Sequence, residues 1–295
     1  MSMTGAFAVA EGGATVSEQG GDTVVPWWSF TKTAIAAAAL SLVRDGKLDL
    51  DAPVTSKSFT LRHLLQHRAG VAEYGALPEY HRAVADRVDP WPIAELMRRV
   101  DADRLRFAPG SSFLYSNLGY LLIRRLMEKV VGDTLNTLLC ERVFQPLGIK
   151  GVLIAETPAD LAGVEMCSAS GYHPGWVYHG LLVGPLREAA VLLDRLLGGT
   201  LLPPELIEQM LNGHGVNAHI PQRPWQEPAY GLGLMCGKVL QGACIAGHTG
   251  GGPGSVIAVY RLYHIRSIRT GAAFLPGEDA GAVERAAVLQ AARIK

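Results

Sequence analysis

The sequence predicts an α+β fold: an antiparallel sheet built from both termini and flanked by helices, with a helical domain inserted in the middle. Three observations carry this. β-prone stretches with Gly-rich turns lie at both ends of the chain, whereas apolar residues recur at helical spacing through its centre. The C-terminal strand candidates follow one another directly, which implies hairpins and hence antiparallel pairing. On this reading residues 1–45 and 185–295 form the sheet domain and residues 46–184 the mainly helical one. The cleft between them is where a small-molecule site would form.

Taken in order, residues 4–10 and 14–18 read as a strand pair turned at Gly12-Gly13. Residues 23–28 lead into an alanine-rich helix from about Phe30 that stops at Arg44-Asp45-Gly46. Residues 47–54 form a loop closed by a proline. Residues 60–67 have helical spacing with Thr60 as N-cap, and short helices are expected at 92–100, 118–131 and 134–143. Beyond about residue 150, helices are expected at 187–197, 204–211 and 280–294. Strands are expected at 230–239, 243–248, 256–262 and 267–275, with a turn at Gln241-Gly242 and a tight glycine segment at 250–254.

With 295 residues, 48% of them hydrophobic, the chain can bury a large core. Its 27 basic and 27 acidic residues balance and form no basic block, which points away from nucleic acid and anionic membranes as partners. The longest apolar run, 34–43, is shorter than the roughly 20 residues a bilayer requires. The N-terminal residues show no secretory pattern, so a cytoplasmic location is expected, with the periplasm open if the N-terminus is truncated. The four cysteines, Cys140, Cys167, Cys236 and Cys244, lack metal or CxxC spacing and read as reduced thiols.

Chemistry concentrates in three places. In Ser29-Phe30-Thr31-Lys32, the serine and lysine fall one turn apart on one helical face. There an amine can take the hydroxyl proton and leave a nucleophile. Taken alone, the same spacing also suits a serine N-cap followed by an exposed lysine. Tyr115-Ser116-Asn117 sits in a polar loop before a helix. A phenol beside Lys32 would have its pKa lowered by the ammonium and could relay protons, and Asn117 could hold Lys32 and donate to a substrate carbonyl. The alternative is a packed aromatic with an Asx turn. His248-Thr249-Gly250 ends a strand that can lie alongside an extended substrate. A backbone N–H there, with that of Ser29, can form an oxyanion hole, and Gly250 and Gly251 would let the substrate approach.

Together these segments resemble the serine penicillin-recognising family: class C β-lactamases, DD-peptidases, D-aminopeptidases and family VIII esterases. Y-S-N and H-T-G stand where that family has its second and third motifs. The segments LRHLLQHRAG, APGSSFLYSNLGYLLIRRLMEKVVG with FQPLGI, AYGLGL and GHTGGGPG extend the resemblance over nearly the whole chain. The resemblance implies a β-lactamase/transpeptidase-like fold. It also implies that Ser29 is acylated, Lys32 activates it, Tyr115 is general acid or base, and Asn117 positions Lys32 and substrate. His248, Thr249 and Gly250 would line the substrate strand, and the Gly251 N–H would complete the oxyanion hole. No metal or organic cofactor is implied.

His248 replaces a lysine, Trp27-Trp28 are bulky where smaller residues are common, suggesting a narrow or apolar pocket, and little chain precedes Ser29. These departures favour an esterase or amidase on small acyl substrates. The alternatives are a D-alanyl peptidase or β-lactamase, or a non-catalytic penicillin-binding or sensing protein. His63 and His67 have zinc-pair spacing without the glutamate of a metalloprotease motif. Gly231-x-Gly233 lacks the third glycine of a dinucleotide fingerprint, and no G-x-S-x-G is present. Trp91, Trp176 and Trp225 are read as packing residues or cleft walls, and His173, His179, His214 and His219 receive no role.

Overall fold

The computed structural model describes residues 5–54, 59–216, 222–239, 242–264 and 267–293. Expectations touching Thr4, His219, Gln241 and Ile294 lie outside the described residues. The chain begins with the hairpin β1 (Ala6–Glu11) and β2 (Ala14–Gln19), followed by β3 (Val24–Pro26). A 3₁₀ turn over Trp28–Phe30 leads into α1 (Thr31–Arg44), of which Thr31 to Leu42 are all buried. A helix enclosed on all sides must be apolar around its whole circumference, and alanine supplies that with little bulk.

The middle carries α2 (Leu61–Leu65), α3 (Pro78–Ala85), α4 (Ile93–Arg99), α5 (Asn117–Val131), α6 (Leu135–Leu139) and α7 (Gln145–Leu147). Thr60 caps α2 as expected: its hydroxyl accepts from His63 N, and His63 Nδ1 accepts from Thr60 N. The helix expected over 134–143 is broken by a π turn at Cys140–Phe144. Helix α3 was not anticipated: only Tyr80, Ala83 and Val84 pack, half-buried, against the core, too few to impose a clear period. Then come β4 (Leu153–Ala155), β5 (Leu181–Pro185), α8 (Leu186–Leu197) and α9 (Pro204–Leu211). β3, β5 and β4 form a small three-stranded antiparallel sheet, also unanticipated, because such short runs show too little alternation to read.

The last part supplies β6 (His214–Gly215), β7 (Trp225–Tyr230), β8 (Met235–Val239), β9 (Cys244–Gly252), β10 (Ser255–His264), β11 (Ser267–Pro276) and α10 (Ala280–Ala292). With β1 and β2 they form an eight-stranded antiparallel sheet ordered β2-β1-β11-β10-β9-β8-β7-β6. The sheet therefore draws on both termini, as expected. Two readings are corrected. The single strand expected over 230–239 is the end of β7, a turn and β8. Gly233 takes φ +82 in that turn, and its carbonyl accepts from Thr33 Oγ1 at 2.8 Å. Gly250, Gly251 and Gly252 belong to strand β9, and only Pro253-Gly254 turn the chain.

The two faces of the sheet are covered separately. Val256, Ala258, Tyr260 and Leu262 of β10 pack with α10, whereas Ile257 and Val259 face the core that holds α1 and α8. Asp194 of α8 ties that helix to strands β10 and β11 and to the β1–β2 turn. Its carboxylate accepts from Gly13 N at 2.7 Å, Arg261 Nη1 at 2.9 Å and Thr270 Oγ1 at 2.8 Å, and the residue is 3% exposed. Asp194→Ala would strand a buried guanidinium and two donors, with an expected loss of about 3–5 kcal/mol. Urea denaturation checks this, and a loss under about 1 kcal/mol would contradict the role assigned to Asp194.

Candidate active site

Ser29 sits inside the 3₁₀ turn before α1, so it does not cap the helix: the N-cap position is Phe30, with no side-chain cap. The turn is held under strain. Trp28 adopts φ +41, a left-handed conformation that an L residue keeps only when its surroundings enforce it. They do so through the indole Nε1, which donates to Ser255 Oγ at 3.0 Å, and through the ring, which occupies the space where a Gly252 side chain would stand. Trp27 is fully buried and its Nε1 donates to Gly184 O at 3.3 Å. Both tryptophans are core residues that fix the turn, which corrects the expectation that they narrow the pocket. Trp176 is also buried and packs edge-on against Trp91, whereas Trp225 lines a cavity described below.

Lys32 follows one turn later and is completely enclosed. Its Nζ lies 3.1 Å from Ser29 Oγ, 2.7 Å from Asn117 Oδ1 and 3.1 Å from His179 Nε2, and 5.0 Å from the centre of the Tyr115 ring. Burial pushes the amine down from its usual value to about 7, with Glu73 opposing. Burial raises the Tyr115 phenol well above the usual range, and the nearby Ser29 hydroxyl opposes this only in part. The expectation that the ammonium lowers the Tyr115 pKa is thus reversed. Desolvation outweighs the neighbouring charge, and the group brought near neutrality is Lys32.

Asn117 opens α5 just after Ser116, whose hydroxyl caps the helix by accepting from Gly119 N at 2.9 Å. Glu73 orients Asn117. Oε1 accepts from Asn117 Nδ2 at 2.8 Å, and Oε2 accepts from Asn117 N. Asn117 Oδ1 is thereby aimed at Lys32. His67 steadies the same loop, its Nδ1 accepting from Ser116 N at 3.0 Å and its ring stacked 4.2 Å from that of Tyr115. His63 and His67 therefore each hold a backbone N–H. Among the described residues no cluster of three or more His, Cys, Asp or Glu could hold a metal.

Strand β9 faces the Ser29 turn. β8 pairs with β9 only from Cys244 to Gly247, leaving the edge from His248 to Gly252 open on that side. His248 Nδ1 donates to Thr249 O at 2.7 Å, so Nε2 accepts from Tyr230 OH at 2.8 Å. Burial holds this imidazole down at about 3, so it is neutral. Thr249 Oγ1 bonds Tyr260 OH at 2.7 Å and Glu284 Oε1 at 2.5 Å. Glu284 in turn is paired with Arg223, whose Nε lies 2.9 Å from Oε2. Glu73, His179, Tyr230, Arg223 and Glu284 thus join the site without having been singled out in the sequence. Each lies far along the chain from its partner and carries no local motif.

Two cavities meet at Gly251. One, of about 390 Å³, is lined by Tyr115, Arg223, Trp225, Tyr230, His248 and Thr249. The other, of about 660 Å³, is lined by Tyr80, Arg87, Ser168, Tyr172 and Gly252, among others. The arrangement defines a serine–lysine site: a hydroxyl bound to a buried amine, a phenol ring beside that amine, and an open strand edge next to them.

The chain belongs to the Beta-lactamase family, whose model matches residues 3–288. Esterase EstB of Burkholderia gladioli is 34% identical over 149 residues, covering 44% of this chain and 38% of that protein. A D-aminopeptidase of Gluconobacter oxydans (strain 621H) is 26% identical over 227 residues, covering 72% of this chain and 42% of that protein. The chain thus spans less than half the length of these curated relatives. A D-stereospecific amidohydrolase from Streptomyces sp. superposes with TM-score 0.79 at 26% identity, covering 97% of this chain and 93% of that one. An octameric penicillin-binding protein homologue from Pyrococcus abyssi shares the fold, with TM-score 0.76 at 21% identity, covering 97% of this chain and 73% of that one.

The two glycines beside Ser29 differ in what they permit. A Cβ on Gly250 would stand 2.6 Å from Ser29 N and 2.8 Å from Trp28 Cβ, whereas one on Gly251 would meet only Val256 Cγ1, at 3.5 Å. Gly250 therefore admits the Ser29 turn, not the substrate as expected. Gly250→Ala should cost about 1–3 kcal/mol by overpacking. Gly251→Ala should stay within about 0.5 kcal/mol. Parallel thermal melts check the contrast, and equal losses would contradict it.

Proposed function

We propose that this chain is a serine hydrolase that works through an acyl-enzyme on Ser29, acting on small esters or amides without a carboxylate. The observation that carries the proposal is the enclosed Lys32 amine, brought to about 7 and set 3.1 Å from Ser29 Oγ. An amine that is half deprotonated near neutrality can accept the serine proton as Oγ attacks a carbonyl. Asn117 Oδ1 holds that amine in place. The oxyanion is stabilised by the N–H groups of Ser29 and Gly251, aimed where charge develops. Tyr115, whose ring lies 5.0 Å from Lys32 Nζ, passes the proton held by Lys32 to the leaving group. Water then repeats the steps in reverse roles to free the acyl group.

Tyr115 lines only the smaller of the two cavities, so that cavity takes the leaving group and the larger one the acyl portion. Among the described residues Arg223 is the only ionised side chain lining the smaller cavity, and Glu284 already compensates it. His248 is neutral. Among the described residues no group on that side is free to attract a carboxylate, which supports esters and amides lacking one over penicillins and peptides with a free C-terminus. The names of the relatives, an esterase and D-aminopeptidases, support the same choice, and the Streptomyces amidohydrolase adds amides of D-amino acids as the second substrate class.

Turnover of an aryl acetate, a D-alanyl amide and a chromogenic cephalosporin should be compared side by side, with Ser29→Ala as control. The ester should be fastest, and Ser29→Ala should lose all turnover above background. A cephalosporin rate above the ester rate would overturn the substrate assignment. Equal product release by wild type and Ser29→Ala would overturn the hydrolase reading itself.

A further inference from the structure

His179 stands 147 residues from Lys32 in the chain, yet its Nε2 lies 3.1 Å from Nζ. The residue is 2% exposed, and Nδ1 has no hydrogen-bond partner among the described residues. It is held beside the turn by its place just before β5, where Leu182 N donates to Thr31 Oγ1 at 3.1 Å and Leu182 O accepts from Trp27 N at 2.8 Å. A buried imidazole whose one hydrogen bond among the described residues is to a lysine amine calls for a proton count at that amine.

When Lys32 is an ammonium it has three N–H donors and no acceptor. Asn117 Oδ1 takes one, because Asn117 Nδ2 is committed to Glu73 Oε1. Ser29 Oγ takes the second and His179 Nε2 the third. His179 must then carry its proton on Nδ1. That nitrogen is sealed in the core without a partner, so no hydrogen-bonded path leads to the other tautomer. When Lys32 becomes an amine, two N–H bonds and one lone pair remain. Asn117 and His179 still require N–H donors, and only Ser29 has a hydroxyl proton to offer. The lone pair is left facing Ser29 Oγ.

We infer that His179 is a positioning residue, whose Nε2 acts as a permanent acceptor that turns the Lys32 lone pair onto the Ser29 hydroxyl. The inference rests on the proposed role of Lys32 as base. Other groups around Lys32 do not perform this task. Glu73 bonds Asn117 and Gly75, His67 is spent on Ser116 N, and His248 on Thr249 O and Tyr230. Tyr115 and Tyr120 lie under Nζ through their rings, and Arg124 faces His179 only through its charge. No proton leaves His179 during the cycle. The proton from Ser29 goes to Lys32 and then to the leaving group.

The test is the rate of Ser29 labelling by a fluorophosphonate, followed by intact mass across pH, in wild type, His179→Phe and His179→Gln. His179→Phe keeps a ring but no acceptor. Its plateau rate should fall at least ~10-fold, in the range of positioned acid–base effects. Its acid limb should move to lower pH, because the ammonium has lost a partner. His179→Gln offers Oε1 near the place of Nε2 and should recover most of both changes. A wild-type rate and limb in His179→Phe, or equal impairment in His179→Gln, would overturn the inference. Failure of wild type to label at Ser29 would instead overturn the reading on which it rests. Nitrogen NMR of wild-type His179 gives a check that needs no variant: a proton on Nδ1 supports the inference, and one on Nε2 overturns it.

Discussion

Everything at this site depends on keeping one amine away from water. Lys32 is enclosed by the apolar helix that carries it, by the aromatic rings of Tyr115 and Tyr120, and by the His179 imidazole. Desolvation of the charged form is the largest influence on its pKa and the reason it falls to about 7. Glu73 limits the fall. Its carboxylate is itself desolvated and raised, and it acts on the amine across Asn117. The pair titrates together, so the balance between burial and this one carboxylate sets the pH at which the amine is free.

The larger architecture follows from holding that amine beside the Ser29 hydroxyl and an open strand edge. α1 can lie within the core because its alanines let neighbouring elements approach closely. The strained Trp28 turn presents Ser29, and the glycines of β9 make room for that turn: Gly250 against the Ser29 backbone and Gly252 against the Trp28 ring. β8 stops pairing at Gly247, leaving the strand edge beside Ser29 available. Asp194 and Glu284, buried carboxylates on helices packed to opposite faces of the sheet, lock the strands that carry this edge.

Much of this was legible in the sequence because it is written locally. The run 31–44, the helix after Tyr115-Ser116-Asn117 and the terminal hairpins show their periods or turn residues within a dozen positions. What could not be read was written at long range. The strand over 230–239 looked continuous because alternation carries across the tight turn at Gly231–Gly233. The roles of Trp27 and Trp28 depend on partners at Gly184 and Ser255. Glu73 and His179 are ordinary residues in their own segments, and only the fold gives them a shared amine. The direction of the Tyr115 shift was misjudged for a related reason: a neighbouring charge can be guessed from a motif, but the extent of burial cannot.

The central claim is that Lys32 is a free base near neutral pH. Carbon NMR of lysine side chains labelled at Cε tests it directly, with the Lys32 signal assigned by its absence in Lys32→Arg. Because burial disfavours the ammonium, the Lys32 signal should titrate near 7, while exposed lysines titrate near ~10.4. The share of molecules able to take the Ser29 proton then rises with pH through that value. A Lys32 signal that titrates with the exposed lysines would contradict the account.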